Sequence, residues 1–398
     1  MKKLLSVVLA LLMLAVMLPV VAMADDANYC TIEGVDGKFD TLTAAAKAWR
    51  ESKGIATSGG NFGSHPDELT IDSISWVISG SVNSGDGTGV NGNNNNNGLL
   101  LSGGYVYPAV KANSIYVKGV NNAELKNEIA DYALSAAAKT VEYDGITFPE
   151  YVSFNTEAEN VTFKNCTFKG GLKVMQAINV TVDSCKFEGD GSKDFAFFAQ
   201  SVPANSSMGA VQFKNNTVSS FMRGINVQAG TSATVSITGN TITNLTGYTK
   251  NDQTYGAAIQ LTTGGEFIIT NNKIDVNTGN AFRFYSGLDA DVTISDNIIK
   301  APYLVWNQAE LHNEKITSQD NKLTITNPNK AATSDGALED ATVIKAAPTQ
   351  IVIITPTGDT PKTEPEKNPS TGANDMVAAA AALMAVSALG MAVLSRKK

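Results

Sequence analysis

The sequence predicts an all-β solenoid: a chain that climbs in short coils, each stacked on the last. Three observations predict it. First, one eight-residue pattern occurs seven times. VTFKNCTF (161–168) returns as VTVDSCKF (180–187), VQFKNNTV (211–218), VSITGNTI (235–242), FIITNNKI (267–274), VTISDNII (292–299) and, in weaker form, ITSQDNKL (316–323). Second, apolar residues alternate at period two within each copy, as in Val235 and Ile237 or Phe267 and Ile269. Such alternation is a strand with one buried and one wet face. Third, the sixth position is always small and polar or thiol: Cys166, Cys185, Asn216, Asn240, Asn272, Asn297 and Asn321. These are 19, 31, 24, 32, 25 and 24 residues apart, so a fixed core is joined by loops of variable length.

Each element follows from the pattern. After the alternating strand, two residues pass before the side chain points inward again, at Ile242 or Ile274. A corner that tight requires a residue tolerant of positive φ, and after glycine asparagine suffers least there. The ladder asparagines are therefore expected to be buried and left-handed. Asparagine carries both a donor and an acceptor, so stacked copies can bond along the pile. These residues resemble the asparagine ladder of right-handed, single-stranded parallel β-helices, the pectin-lyase-like superfamily. The resemblance covers roughly residues 100–330. Cys166 and Cys185 share a corner on consecutive coils, about 4.8 Å apart at Cα. Parallel stacking holds their Cβ atoms wider than the roughly 3.8 Å a disulfide prefers. Bridge and buried thiols both stay open.

A second strand lies between the copies: GLKVM (171–175), GINVQ (224–228), AIQLT (258–262) and AFRFY (281–285). Alternation turns Ile225, Val227, Ile259, Leu261, Phe282 and Phe284 inward. Asn226, Gln260 and Arg283 then stack outward in one column, with Gln228, Thr262 and Tyr285 beside it and Lys173 one coil earlier. Amides, a guanidinium and an exposed tyrosine suit sugar hydroxyls or carboxylates. Asn226, Gln260, Arg283 and Tyr285 form the candidate ligand face.

The ends need covers, because an open stack exposes strand edges and apolar core. Residues 25–99 are read as the N-terminal cap region. Asp40-Thr41 is expected to cap a helix from Leu42 to about Ser52, with Leu42, Ala45, Ala46 and Trp49 on one face. Ile71 to Val82 reads as a strand pair, Asn91 to Gly98 as a loop and 124–139 as helical. Residues 331–367, ending in TPTGDTPKTEPEKNP, read as a disordered spacer, with Ile351 to Ile354 as a late edge strand.

Both termini carry targeting chemistry. Residues 1–24 place Lys2 and Lys3 before an apolar run from Leu4 to Leu18, then Ala22-Met23-Ala24, which is a secretory signal peptide. At the other end, Met376 to Leu394 is an uncharged run long enough to span a bilayer as a helix, followed by Arg396, Lys397 and Lys398. Asn368-Pro369-Ser370-Thr371-Gly372 stands directly before it. That order resembles the cell-wall sorting signal of Gram-positive surface proteins, here NPSTG. The resemblance implies a sortase and peptidoglycan as partners, a cut after Thr371 and a secreted product covalently attached to the wall. Asn368 departs from the Leu of the commonest pattern.

Charge and chemistry narrow the function. Lys+Arg 30 against Asp+Glu 38 gives −8, which argues against a nucleic-acid partner. Polysaccharide hydrolysis needs facing carboxylates, and the outward columns carry none. The paired-Asp, Gly-His-Gly and Arg-x-Lys motifs of polygalacturonases are missing. Arg50, Arg223 and Arg283 are the arginines outside the sorting tail, and Asp183, Glu188, Asp190 and Asp194 are the acids nearest them in sequence. His65 and His312 stand apart from each other and from any cysteine in metal spacing. No catalytic residue, cofactor or metal is assigned. The expected function is a non-enzymatic adhesin or glycan-binding β-helix, meeting host or dietary glycans or surface proteins. The alternative is a wall-bound pectate-like lyase or glycoside hydrolase.

Overall fold

The computed structural model describes residues 28–54, 69–83, 110–126, 139–155, 158–201, 208–250, 253–309, 315–326 and 350–353. The signal peptide, the Asn91–Gly98 loop, His65, His312, the spacer apart from its late strand, and the whole sorting segment lie outside these residues. Among the described residues no helix is long and apolar enough to cross a membrane.

The described residues open with the strand Tyr29–Ile32, antiparallel to the long strand Leu69–Asn83. Between them the helix Leu42–Ser52 buries Leu42, Ala45, Ala46 and Trp49 on one face, as the spacing predicts. Its cap is Thr41 rather than Asp40, because the Ala44 N–H donates to Thr41 Oγ1 at 3.1 Å. Ile71 to Val82 is not a strand pair. It belongs to the single strand Leu69–Asn83, which runs parallel to Val110–Lys126 along its whole length. Gly80 (φ 62) produces a register shift between Ser79 and Ser81 instead of a hairpin. Asn121 and Asn122, both left-handed, lie opposite that shift. Glu124 to Lys126 are therefore strand and not helix; 127–138 lie outside the described residues.

From Thr140 onward the chain winds in three-faced coils. The first face stacks Thr140–Asp144, Asn160–Lys164, Asn179–Asp183, Ala210–Lys214, Thr234–Thr238, Glu266–Thr270, Asp291–Ser295 and Ile316–Gln319, all parallel. After a two-residue corner the short second face follows, from Thr147–Phe148 to Lys322–Ile325. The edge strand expected late in the chain is present as Gln350–Ile353, parallel to Lys322–Ile325. The third face is a seven-stranded sheet from Val152–Asn155 to Tyr303–Asn307.

Pairing without offset places like on like. Tyr143 stacks on Phe163 at 5.3 Å, Phe148 on Phe168 at 5.1 Å and Phe168 on Phe187 at 4.9 Å. Later coils carry Val218, Ile242, Ile274 and Ile299 inside instead. Each such side chain contributes roughly 1.5–3 kcal/mol by leaving water. The structure also holds a copy that the repeat search passes over, residues 141–148 (VEYDGITF). Its sixth position is Ile146, buried like the others, and hence lacks the polar signature.

The corner differs from expectation in one respect. The ladder asparagines are buried, but the left-handed residue is the one before each. Positive φ falls on Asn165, Ser184, Asn215, Gly239, Asn271, Asp296 and Asp320. The fifth residue makes the turn, and the sixth is thereby aimed inward. Each inward amide is then fully engaged. Asn240 Nδ2 donates to Phe213 O at 2.8 Å and to Asn272 Oδ1 at 2.9 Å. Its Oδ1 accepts from both the N–H (2.9 Å) and the Nδ2 (3.1 Å) of Asn216. The same set recurs at Asn272 and Asn297.

Cys166 and Cys185 are buried free thiols, which closes the question of a bridge. Cys185 Sγ donates to Phe163 O at 3.5 Å, the carbonyl that an asparagine Nδ2 takes in later coils. Burial first, and the neighbouring Cys166 thiol second, push the Cys185 thiol far above its ordinary range. Cys30, buried beneath the cap, is pushed up to about 12 by burial.

Candidate functional site

The third face brings the candidate ligand residues into one register. Asn226 pairs with Gln260, Gln260 with Arg283, and Arg283 with Trp306. Lys173 belongs to this column but lies two coils below Asn226, not one, because Phe198 on the strand Phe195–Gln200 intervenes. Gln228 does not stand beside Thr262: a bulge pairs it with Thr263. The bulge frees Thr262 to donate its hydroxyl to Asn226 Oδ1 at 2.9 Å.

These side chains point away from the core yet are not open to solvent. Asn226 is 5% exposed, Gln260 5%, Arg283 9% and Trp306 4%. The exposed member is Tyr285, at 39%. The equivalent positions of the first face, such as Thr162, Thr181 and Ser236, are half-buried.

Arg283 is the centre of the arrangement. Its Nε and Nη2 donate to Gln308 Oε1 at 2.9 and 2.7 Å, and its Nη1 to Gln260 Oε1 at 3.5 Å. The guanidinium lies 4.1 Å from the Trp306 ring centroid and 4.9 Å from that of Tyr285. Burial holds its pKa below the usual arginine range; the phenols of Tyr248 and Tyr285 oppose that shift, and the charge of Arg223 adds to it. An arginine stays protonated even so. No described carboxylate forms an ion pair with it. Its charge is held by two neutral amides and by aromatic faces, which form an unneutralised cationic centre in a dry surrounding.

Arg223 is the contrasting case. It forms a two-pronged ion pair with Asp194, through Nε at 2.6 Å and through Nη2. Its guanidinium stacks 3.8 Å from the Phe195 ring and 5.1 Å from that of Tyr248. The other acids near the arginines in sequence disperse. Asp183 pairs with Lys214 at 3.5 Å, Asp190 accepts from Ser192, and Glu188 is exposed. Among the described residues no three His, Cys, Asp or Glu side chains gather in metal-holding geometry.

Three participants escaped the sequence reading: Phe198, Trp306 and Gln308. FAFFAQ and YLVWN carry the same alternation as AFRFY, one coil before GINVQ and one after AFRFY. That extension is the signal that finds Phe198 and Trp306. Gln308 lies just beyond the third-face strand Tyr303–Asn307, and nothing in the sequence pattern marks it.

The stacked parallel sheets agree with a family-level match: the model of the right-handed β-helix region matches residues 82–251 and 202–332, more than half of the chain. The chain belongs to the right-handed β-helix family. No curated protein and no solved structure matches it. In this β-helix the family assigns the scaffold, and the third-face column is what the individual sequence adds to it.

Proposed function

We propose that this β-helix is a wall-anchored surface protein that binds acidic glycans along its third face without cleaving them. The observation that carries the reading is Arg283: a buried guanidinium with no carboxylate partner among the described residues, stacked between Trp306 and the exposed Tyr285. Desolvating a cation is costly unless an anion meets it. A sugar carboxylate supplies that anion, and its ring supplies an apolar face for Tyr285. Coils about 4.8 Å apart let a chain lying along the axis meet successive rungs at Gln260 and Asn226. The secretory leader and the NPSTG segment support display on a Gram-positive wall, with sortase and peptidoglycan as partners.

Binding of the secreted chain to a panel of uronate, sialylated and neutral glycans tests this, read beside a uronate-release assay. Acidic glycans should bind and no unsaturated uronate should appear. Because Arg283 is buried, Arg283→Gln is a better probe than alanine; combined with Tyr285→Ala it should abolish binding at little cost in melting temperature. Retained binding overturns the site, and turnover of a uronate polymer overturns the non-enzymatic reading. For display, Thr371→Ala should leave protein in the membrane fraction, and unchanged wall linkage overturns the anchor.

A further inference from the structure

The first face carries a row of charges that neither the corner ladder nor the third face uses. Its members stand in register on five successive strands. Lys118 pairs with Asp144, Asp144 with Lys164, Lys164 with Asp183 and Asp183 with Lys214. The sign therefore alternates at every coil, about 4.8 Å apart along the axis. Lys118 is exposed and the other four are half-buried.

Alternation alone is what repulsion between like charges on neighbouring strands demands. The bonds show something further, because the row is not closed within the chain. Lys214 does reach along it, to Asp183 at 3.5 Å. Lys164 instead turns sideways to Glu142 at 3.1 Å, and Asp144 accepts from the corner amide of Asn165 at 2.7 Å. A neighbouring row on the same face is also half used. Asn179 Nδ2 donates to Asn160 Oδ1 at 3.0 Å, while among the described residues nothing engages Asn160 Nδ2 or Asn179 Oδ1.

Both rows are self-complementary under one operation. A two-fold axis parallel to the strands, midway between Asn160–Lys164 and Asn179–Asp183, turns a second copy upside down against the first. It sets Lys164 against Asp183 of the second copy and Asp144 against its Lys214, each contact occurring twice. It also brings the open donor of Asn160 to the open acceptor of Asn179 on the other copy. A two-fold parallel to the helix axis places like on like at every rung and is rejected by the same charges.

We infer that the first face docks a second copy of this chain, antiparallel, about the axis between those two strands. Four strands lie on each side of the midpoint, from Leu69–Asn83 at one end to Glu266–Thr270 at the other. At about 4.8 Å per coil and about 16 Å of strand width, the contact covers roughly 600 Å² per copy, or about 1,200 Å² in all. That lies at the lower edge of specific interfaces, so the charges decide whether the copies meet, and salt weakens the pair. The glycan reading uses the third face and stands or falls separately.

Sedimentation of the secreted chain reads the pair directly: a dimer at low salt that is lost at high salt. Lys164→Glu turns an acid toward Asp183 of the other copy, and Asp183→Lys turns a base toward its Lys164. Each variant alone should stay monomeric at low salt. An equimolar mixture of the two should dimerise again, because each altered side chain then meets its opposite, and a misfolded chain cannot recover in this way. A chain that is monomeric throughout, a dimer indifferent to either change, or variants that stay apart on mixing overturns the proposal. Orientation has its own test in the unaltered charge row. Glu142 and Gln212 stand three coils apart, equally far from the midpoint, so Glu142 of one copy faces Gln212 of the other. Packed sheets lie about 10 Å apart, beyond the reach of a disulfide, so a short bismaleimide serves as the linker. The native cysteines are buried. Glu142→Cys mixed with Gln212→Cys should cross-link, and neither alone should. Cross-linking of either variant to itself, or none in the mixture, overturns the antiparallel pair.

Discussion

Two polar columns run up this β-helix, one at the corner between the first and second faces and one on the third face. Both place one side chain per coil and both bury amides, although Lys173 and Phe198 at the start of the third-face column are only half-buried. They differ in closure. Every rung of the corner ladder uses the same atoms at 2.8–3.1 Å, from Asn216 to Asn297. The third-face column runs Lys173, Phe198, Asn226, Gln260, Arg283, Trp306, no two alike. Its amide links are long, at 3.4 Å from Gln260 to Asn226 and 3.5 Å from Arg283 to Gln260, and among the described residues the buried charge of Arg283 lacks an anion. Repetition with full satisfaction builds a scaffold; variation with an unmet charge marks a site.

The contrast can be broken most easily at the ladder. Asn240→Ala takes the acceptor from the Asn216 N–H and the side-chain donor from the Phe213 carbonyl in a dry interior, and should cost on the order of 1–3 kcal/mol in denaturant unfolding. A loss no larger than that of a surface residue would remove the distinction between the columns.

A gain of function in the ladder sharpens it. Cys185 already donates to the carbonyl that an asparagine would use, but offers no side-chain oxygen to the coil below. Cys185→Asn should add a rung and stabilise the chain by about 0.5–1.5 kcal/mol. Destabilisation would mean that the corner there is shaped to a thiol.

Asn226→Ala is the matched test on the third face. Among the described residues, only Thr262 and, at 3.4 Å, Gln260 lose a partner. The stability cost should stay near 0.5 kcal/mol, while acidic-glycan binding weakens measurably. A cost equal to that of Asn240→Ala would make the two columns one kind of object.

The smallest effect lies outside both columns. Burial raises the Asp183 carboxyl, but bonds from Asn215 and Ser184 and the charge of Lys214 outweigh it, and the net pKa is lowered. A carboxyl lowered by folding contributes stability above its unfolded pKa, and that contribution disappears as pH falls through the folded pKa. Asp183→Asn should therefore lower the melting temperature slightly at neutral pH, and the difference should vanish as the pH falls below the ordinary carboxylate range. A difference that persists in acid would tie this solvated rim to the ladder beside it.

The sequence by itself determined the stack, because each coil repeats a local pattern that can be buried only against its own copy, and even the cap helix and the late strand were written locally. The left-handed position was not legible for a specific reason. Asn215-Asn216 and Asn271-Asn272 put an asparagine at both candidate sites, and only the backbone separates the residue that turns from the one that is buried. Gly239, Asp296 and Asp320, each before a ladder asparagine, held the hint, since glycine and aspartate also accept positive φ. The third-face column was visible as a list of outward residues and read as exposed, because alternation reports which side of a sheet a residue takes and not what lies over that side. That Arg283 is dry and that Trp306, Gln308 and Gln260 hold it are decided by segments 23 to 25 residues away in the chain. Only the winding of successive coils brings such segments together.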